Sequence, residues 1–127
     1  MKALITGAHG FAGRALPAHG EVSGRDFRGL VRAHTAATSA RPEFSAVGDL
    51  ASLDATQLAR LLEGAGAVIH LAGRAHVMVE TAADPLRAYY EANVVATERL
   101  ARAAAAAGVA RFVLASTVTV NGESSPP

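Results

Sequence analysis

An α/β fold, a doubly wound parallel sheet of about five strands, is predicted by three observations. Short apolar runs alternate with helical patterns along the 127 residues. The clearest run, Ala67-Val68-Ile69-His70-Leu71, is apolar almost throughout rather than at every second position, as expected for a strand covered on both faces. A glycine turn leaves the first run and opens a helix directly.

The first run, Lys2-Ala3-Leu4-Ile5-Thr6, ends at Gly7 and reads as a buried strand. A helix is expected from Phe11 to about Ser23, stopped by Gly24. Pro17 and Gly20 are poor helix residues, so a kink or an early end is expected near Pro17. Phe27 to Val31 reads as the second strand, and residues 33–43, small and polar, as a loop. Phe44 to Val47 is a short third strand, left by Gly48-Asp49-Leu50. A helix follows from about Leu53 to Glu63 with Ser52 as its N-cap, closed by Gly64 and Gly66. Ala67 to Leu71 is the fourth strand and residues 73–83 a loop. Asp84-Pro85 joins an N-cap to a first-turn proline and starts a long helix running to about Ala107, before Gly108. Arg111 to Ser116 is the fifth strand, and the tail from Asn121 to Pro127 reads as loop. Right-handed crossovers then give the strand order 3-2-1-4-5. The fifth strand is expected to leave an unpaired edge that invites a homodimer or aggregation.

Half of the residues are hydrophobic and 18% are charged, enough apolar material for a core. A net charge of +1 offers no basic field for nucleic acid. The lack of cysteine removes disulfides, thiolate zinc sites and cysteine nucleophiles together. No run reaches the roughly 18 apolar residues of a membrane span, and the N-terminus turns to glycine too early for a signal peptide. A cytoplasmic protein that binds no membrane is expected. The histidines, His9, His19, His34, His70 and His76, lack ligand spacing, so no metal site is expected. A nucleophile elbow, Gly-x-Ser-x-Gly, is absent. Glu80, Asp84 and Glu91 lie at or beside a helix start and read as caps and solvated charges rather than a glycosidase pair.

The strongest local motif is Thr6-Gly7-Ala8-His9-Gly10-Phe11-Ala12-Gly13. Gly7 permits a tight turn, Gly10 lets a pyrophosphate approach the backbone, and Gly13 lets the helix pack close to the sheet. The helix N-terminus presents N–H groups to the phosphates. A bare strand–turn–helix with packing glycines is the alternative. The Gly-Lys-[Ser/Thr] ending of a P-loop is absent. Arg32, just past the second strand, suits the 2′-phosphate of NADP, where an acid would suit NAD. NADP is therefore favoured, with NAD left open, and the alternative for Arg32 is a solvated charge. Asp49 and Leu50 lie where the adenine would sit. Asp49 either accepts from the adenine amine or caps a turn.

Five segments occur in order: the glycine turn, Gly48-Asp49-Leu50, His70-Leu71-Ala72-Gly73, Asn93-Val94-x-x-Thr97, and Ala115-Ser116-Thr117-x-Thr119-Val120-Asn121-Gly122. Together they resemble the N-terminal, cofactor-binding part of extended short-chain dehydrogenases/reductases, and within them the NAD-dependent epimerase/dehydratase family acting on nucleotide sugars. The resemblance implies a Rossmann-like domain over residues 1–127 and a nucleotide-sugar substrate. Phe11 and Ala12 would offer N–H groups to the pyrophosphate. Leu71, Ala72 and Gly73 would pass along the nicotinamide ribose, and Asn93 would face the cofactor site. Thr117, with Ser116 beside it, would hydrogen-bond the reacting sugar oxygen. Two positions depart from the pattern: Ala75, where some relatives carry lysine, and Asn121, where many epimerases carry tyrosine.

The family's acid/base is a tyrosine four residues before a lysine, the cation favouring the phenolate. The tyrosines here are Tyr89 and Tyr90, followed four residues on by Asn93 and Val94, and the one lysine is Lys2. The expectation is an N-terminal portion of an NAD(P)-dependent oxidoreductase, epimerase or 4-keto-reductase, inactive alone. The alternative is a non-catalytic dinucleotide-binding or redox-sensing module. A mononucleotide binder of the same fold is a more distant third.

Overall fold

The computed structural model describes residues 2–18, 27–39, 42–75, 77–122 and 124. Five strands form one parallel sheet in the order β3-β2-β1-β4-β5: β1 Lys2–Thr6, β2 Phe27–Val31, β3 Phe44–Ala46, β4 Ala65–His70 and β5 Arg111–Leu114. The predicted fold and strand order both hold. The register runs Thr6 beside Leu30 on one flank and beside His70 on the other. β5 pairs with β4 through His70 and Leu114 and borders the sheet.

Alternation along β1 divides its side chains between two layers. Leu4 faces a core with Val68, Leu58, Leu62 and Leu100, beneath helix α2 (Ala55–Leu62) and helix α4 (Ala96–Ala106). Ile5 faces a smaller core with Ala8, Val31 and Phe44 beside Leu16 of helix α1 (Phe11–Ala18). The α1 helix passes Pro17 and is described to Ala18; the expected continuation to Ser23 and Gly24 lies outside the described residues.

Several boundaries differ from the sequence reading. Ser52 is not the cap of α2. It closes a short 3₁₀ turn, Leu50–Ser52, and α2 starts later, from Asp54. The reason is a capping box: the Asp54 carboxylate accepts the Gln57 N–H at 2.8 Å while the Gln57 side chain accepts the Asp54 N–H at 2.8 Å. The fourth strand begins at Ala65, because Gly66 is an irregularity within the strand rather than part of the turn: Lys2 pairs with Ala65 and Ala3 with Ala67. The fifth ends at Leu114, and a 3₁₀ turn, Val118–Asn121, succeeds it.

The long helix starts as expected, with the Asp84 carboxylate accepting the Arg87 N–H at 3.0 Å and Pro85 in the first turn. It is not uniform. Helix α3 (Pro85–Tyr90) passes into a π-helical segment, Glu91–Val95, before α4 resumes. A π segment inserts an extra residue into the turn and so rotates the faces of α4 relative to those of α3.

Candidate functional site

At the carboxyl ends of the strands a cleft of about 270 Å³ opens where the strand order reverses between β1 and β4. This switch point is where open α/β sheets bind ligands. Gly7 and Gly10 form its floor. Leu30 and Val31 at the end of β2, with Arg32 just past it, line one side, and the Val47–Leu50 turn beyond β3 lies next to them. Leu71, Ala72 and Gly73 leave β4 on the other side, and Ala92 and Ala96 of the long helix close it.

The floor is built from missing side chains. Gly7 has φ +64, and a Cβ there would lie 2.7 Å from the Ala72 nitrogen. A Cβ on Gly13 would strike the Gly7 carbonyl oxygen and the Ala8 backbone. The turn and the end of β4 therefore pass at backbone contact. The Gly10 N–H donates to the Gly7 carbonyl at 2.9 Å, and the first rung of α1 is Arg14 N–H to Gly10 carbonyl at 3.0 Å. The N–H groups of Phe11, Ala12 and Gly13 thus stand ahead of the helical ladder. The Phe11 side chain is 94% exposed.

The opposite wall is held by side chains. Asn93, in the π segment, grips Arg74 at both backbone groups: its Oδ1 accepts the Arg74 N–H at 2.6 Å and its Nδ2 donates to the Arg74 carbonyl at 2.9 Å. The Arg74 guanidinium lies 5.2 Å from the Tyr89 ring centre and pairs with Glu80 at 2.7 Å. Glu80 also accepts the Ala82 N–H, and this bond and then Arg74 hold its carboxyl below the ordinary range.

Beneath that wall lie two fully buried polar side chains, Thr6 and His70. The Ala72 N–H donates to Thr6 Oγ1 at 3.1 Å, and Thr6 Oγ1 lies 2.6 Å from His70 Nδ1. His70 Nε2 lies 2.8 Å from Thr97 Oγ1, which donates to the Asn93 carbonyl at 2.8 Å. Burial pushes the His70 pKa below its ordinary 6.5.

Most sequence-selected residues meet in this cleft: Gly7, Gly10, Arg32, Asp49, Leu50, Leu71, Ala72 and Gly73 all line it. Asp49 also caps its own turn, its Oδ1 accepting the Ala51 N–H at 3.1 Å. Asn93 is not on the lining and acts on the loop behind it. Thr117 and Ser116 are exposed past the end of β5, the Thr117 carbonyl accepting the Val120 N–H at 3.3 Å. Sequence reasoning misses Ala92 and Ala96, although their four-residue spacing puts them on one helix face. Thr6, His70 and Thr97 lie within the motifs, but nothing local marks them as partners. Among the described residues no group of three His, Asp or Glu could hold a metal, and no helix is long and apolar enough to cross a membrane. His19 and His76 lie outside the described residues.

Comparison with known proteins points the same way. A model of the NAD dependent epimerase/dehydratase family matches residues 3–127. The chain is 42% identical over 77 residues to a UDP-glucose 4-epimerase of Vibrio cholerae, covering 61% of this chain and 23% of that protein. Among solved structures it resembles MoeE5 in complex with UDP-glucose and NAD, at 34% identity and a TM-score of 0.76, over 98% of this chain and 39% of that one. It also resembles the UDP-glucuronic acid 4-epimerase of Bacillus cereus in complex with NAD, at 25% identity and a TM-score of 0.74, over 98% of this chain and 43% of that one. The chain thus spans less than half the length of each of these relatives.

Proposed function

The chain belongs to the NAD dependent epimerase/dehydratase family, and from that premise we propose that its 127 residues are the dinucleotide-binding portion of a cytoplasmic enzyme acting on a nucleotide sugar. The reaction is hydride transfer between nicotinamide and a sugar carbon, through a keto sugar. One observation carries the reading: the switch-point cleft has a glycine floor in which a Cβ at Gly7 would strike the Ala72 backbone. Such a surface suits a ligand approaching by its phosphates, because N–H groups and the helix end attract anions once side chains are out of the way.

The roles follow position. The N–H groups of Phe11, Ala12 and Gly13 bind the pyrophosphate. Asp49 and Leu50 border the adenine, and Leu71, Ala72 and Gly73 border the nicotinamide ribose. Asn93 contributes by fixing Arg74 and with it the loop past Gly73. When bound, the nicotinamide supplies or accepts the hydride. Thr117, past the end of β5, orients the sugar oxygen at which the proton is exchanged. Arg32, on the cleft beside β2, favours the 2′-phosphate of NADP, whereas MoeE5 and the Bacillus cereus epimerase hold NAD.

Proton transfer needs more than these residues provide. The only lysine lies on β1, and no tyrosine has a lysine four residues on. The chain by itself is therefore expected to bind cofactor without turning over a nucleotide sugar. The rival reading, a non-catalytic dinucleotide-binding or redox-sensing module, rests on the same absence.

Fluorescence titration with NADH and NADPH tests the proposal. Saturable binding that Gly10→Asp abolishes is expected, since the new carboxylate would meet the phosphates and its Cβ would sit 3.1 Å from the Gly7 carbonyl oxygen. Arg32→Ala should weaken NADPH binding and spare NADH. Failure of the wild type to bind either dinucleotide would sink the reading. Turnover of UDP-glucose or UDP-glucuronic acid above the Gly10→Asp background would refute the inactivity of the chain alone.

A further inference from the structure

The row of side chains running along β1 and β4 toward the cleft changes character at its end. Leu4 and Val68 are apolar and buried under α4, whereas the next pair on the same face is Thr6 and His70, equally buried. Two polar groups at the end of an apolar row cost stability unless each is satisfied. Both are satisfied, and one set of bond directions gives every group a partner.

The direction can be read from the two ends. With the Thr97 hydroxyl hydrogen directed to the Asn93 carbonyl at 2.8 Å, its oxygen accepts from His70 Nε2, the assignment that leaves the Thr6 hydroxyl hydrogen an acceptor at Nδ1. Nε2 therefore carries the hydrogen, and Nδ1 of the neutral ring is an acceptor. Thr6 donates its hydrogen to Nδ1, leaving its oxygen to accept the Ala72 N–H. The chain is Ala72 N–H, Thr6, His70, Thr97, Asn93 carbonyl, with one donor and one acceptor at each link. The Phe112 ring, tilted at 6.0 Å, covers the imidazole from β5. Burial disfavours the charged ring, in keeping with the neutral tautomer that the chain requires.

We propose that His70, held as its Nε2–H tautomer between Thr6 and Thr97, is a positioning residue for the dinucleotide, setting the distance between the glycine turn and the Leu71–Gly73 wall. This inference rests on the dinucleotide reading of the cleft. The far end of the relay is Asn93, whose side chain grips Arg74. Its near end is the Ala72 nitrogen, the atom closest to the missing Cβ of Gly7. The relay therefore grips the wall from beneath, and the Asn93 side chain grips it from behind. Neither His70 nor Thr97 lines the cleft, so both act through Ala72.

Three forms of the 127-residue chain test this: wild type, Thr97→Val and Thr97→Ser. Nitrogen-15 spectra of the wild-type imidazole should show Nε2 protonated and Nδ1 bare at neutral pH. Thr97→Val, of the same shape without the hydroxyl, loses the bonds to His70 and the Asn93 carbonyl together; it should raise the Kd for NADH by about 3- to 10-fold and shift the Ala72 amide resonance. Thr97→Ser restores the hydroxyl and should return both to near wild-type values, which a general loss of packing would not predict. An Nδ1–H tautomer, or a Thr97→Val protein with unchanged Kd and an unmoved Ala72 amide, would overturn the inference alone. If Thr97→Val fails to fold, the tautomer and a Thr97→Ser Kd within about twofold of wild type still decide it. No NADH binding by the wild type would overturn the cofactor reading and this inference with it.

Discussion

The two sides of the cleft are built on opposite principles. The turn between β1 and α1 is shaped by what its residues lack: Gly7 and Gly13 have no Cβ, and backbone meets backbone. The wall past β4 is shaped by what distant residues supply: Thr6, His70, Thr97 and Asn93 hold it through hydrogen bonds that span up to 66 positions in sequence. The first design tolerates no addition. The second tolerates no deletion. A ligand site assembled this way needs steric room on one side and hydrogen-bonded placement on the other.

The comparison can be broken most severely at the glycines. Gly7→Ala puts a methyl group 2.7 Å from the Ala72 nitrogen at a φ of +64. A loss of about 3 kcal/mol or more in urea unfolding is expected from the strained backbone and the clash together, with NADH binding abolished. On the other wall, Asn93→Ala removes two hydrogen bonds at a site open to solvent. About 1–2 kcal/mol of stability should go, and NADH affinity should fall further than thermal stability does, because Arg74 anchors the end of the wall. A Gly7→Ala protein that binds NADH normally would contradict the steric account. An Asn93→Ala protein that loses stability but no affinity would contradict the placement account.

The smallest effect should come from acid. The folded-state pKa of His70 lies below its unfolded value of 6.5. The unfolded chain therefore takes up a proton that the folded chain resists. The resulting stability is complete above pH 6.5 and is lost as the pH falls below it toward the folded pKa. The ring's neighbours are Thr6, Thr97 and Phe112. Thermal melts from about pH 8 to about pH 5 should show this decline in the wild type and a shallower one in His70→Leu. Equal slopes in the two proteins would remove His70 from the acid response.

The same contrast explains what can be read from the sequence. Absence is local: Gly7-x-x-Gly10-x-x-Gly13 directly after an apolar run announces its geometry within one short segment. The Asp84-Pro85 helix start is legible for the same reason, whereas the strand order is legible through the handedness of the crossovers between alternating strands and helices. Ser52 and Asp54 compete as caps two positions apart, and only the reciprocal bond to Gln57 decides between them. The π segment leaves no local trace. Glu91–Val95 holds three weaker helix formers, Asn93, Val94 and Val95, but nothing that selects a π turn over an α turn, and its Asn93 bonds Arg74, 19 residues away. His70 looks like one more residue of an apolar strand until Thr97 arrives from 27 positions away.

Arg99 adds one further attachment. Its guanidinium donates to the carbonyls of Ala51 and Leu53, at the turn that carries Asp49 and Leu50. Two residues earlier on the same helix, Thr97 reaches the His70 end of β4. Both extremities of the cleft are thus mounted on a single rod that rises about 1.5 Å per residue. Sliding that rod would carry both mounts together and leave the span between them unaltered. One turn of α4 thus holds both the Leu50–Ser52 turn beyond β3 and the end of β4.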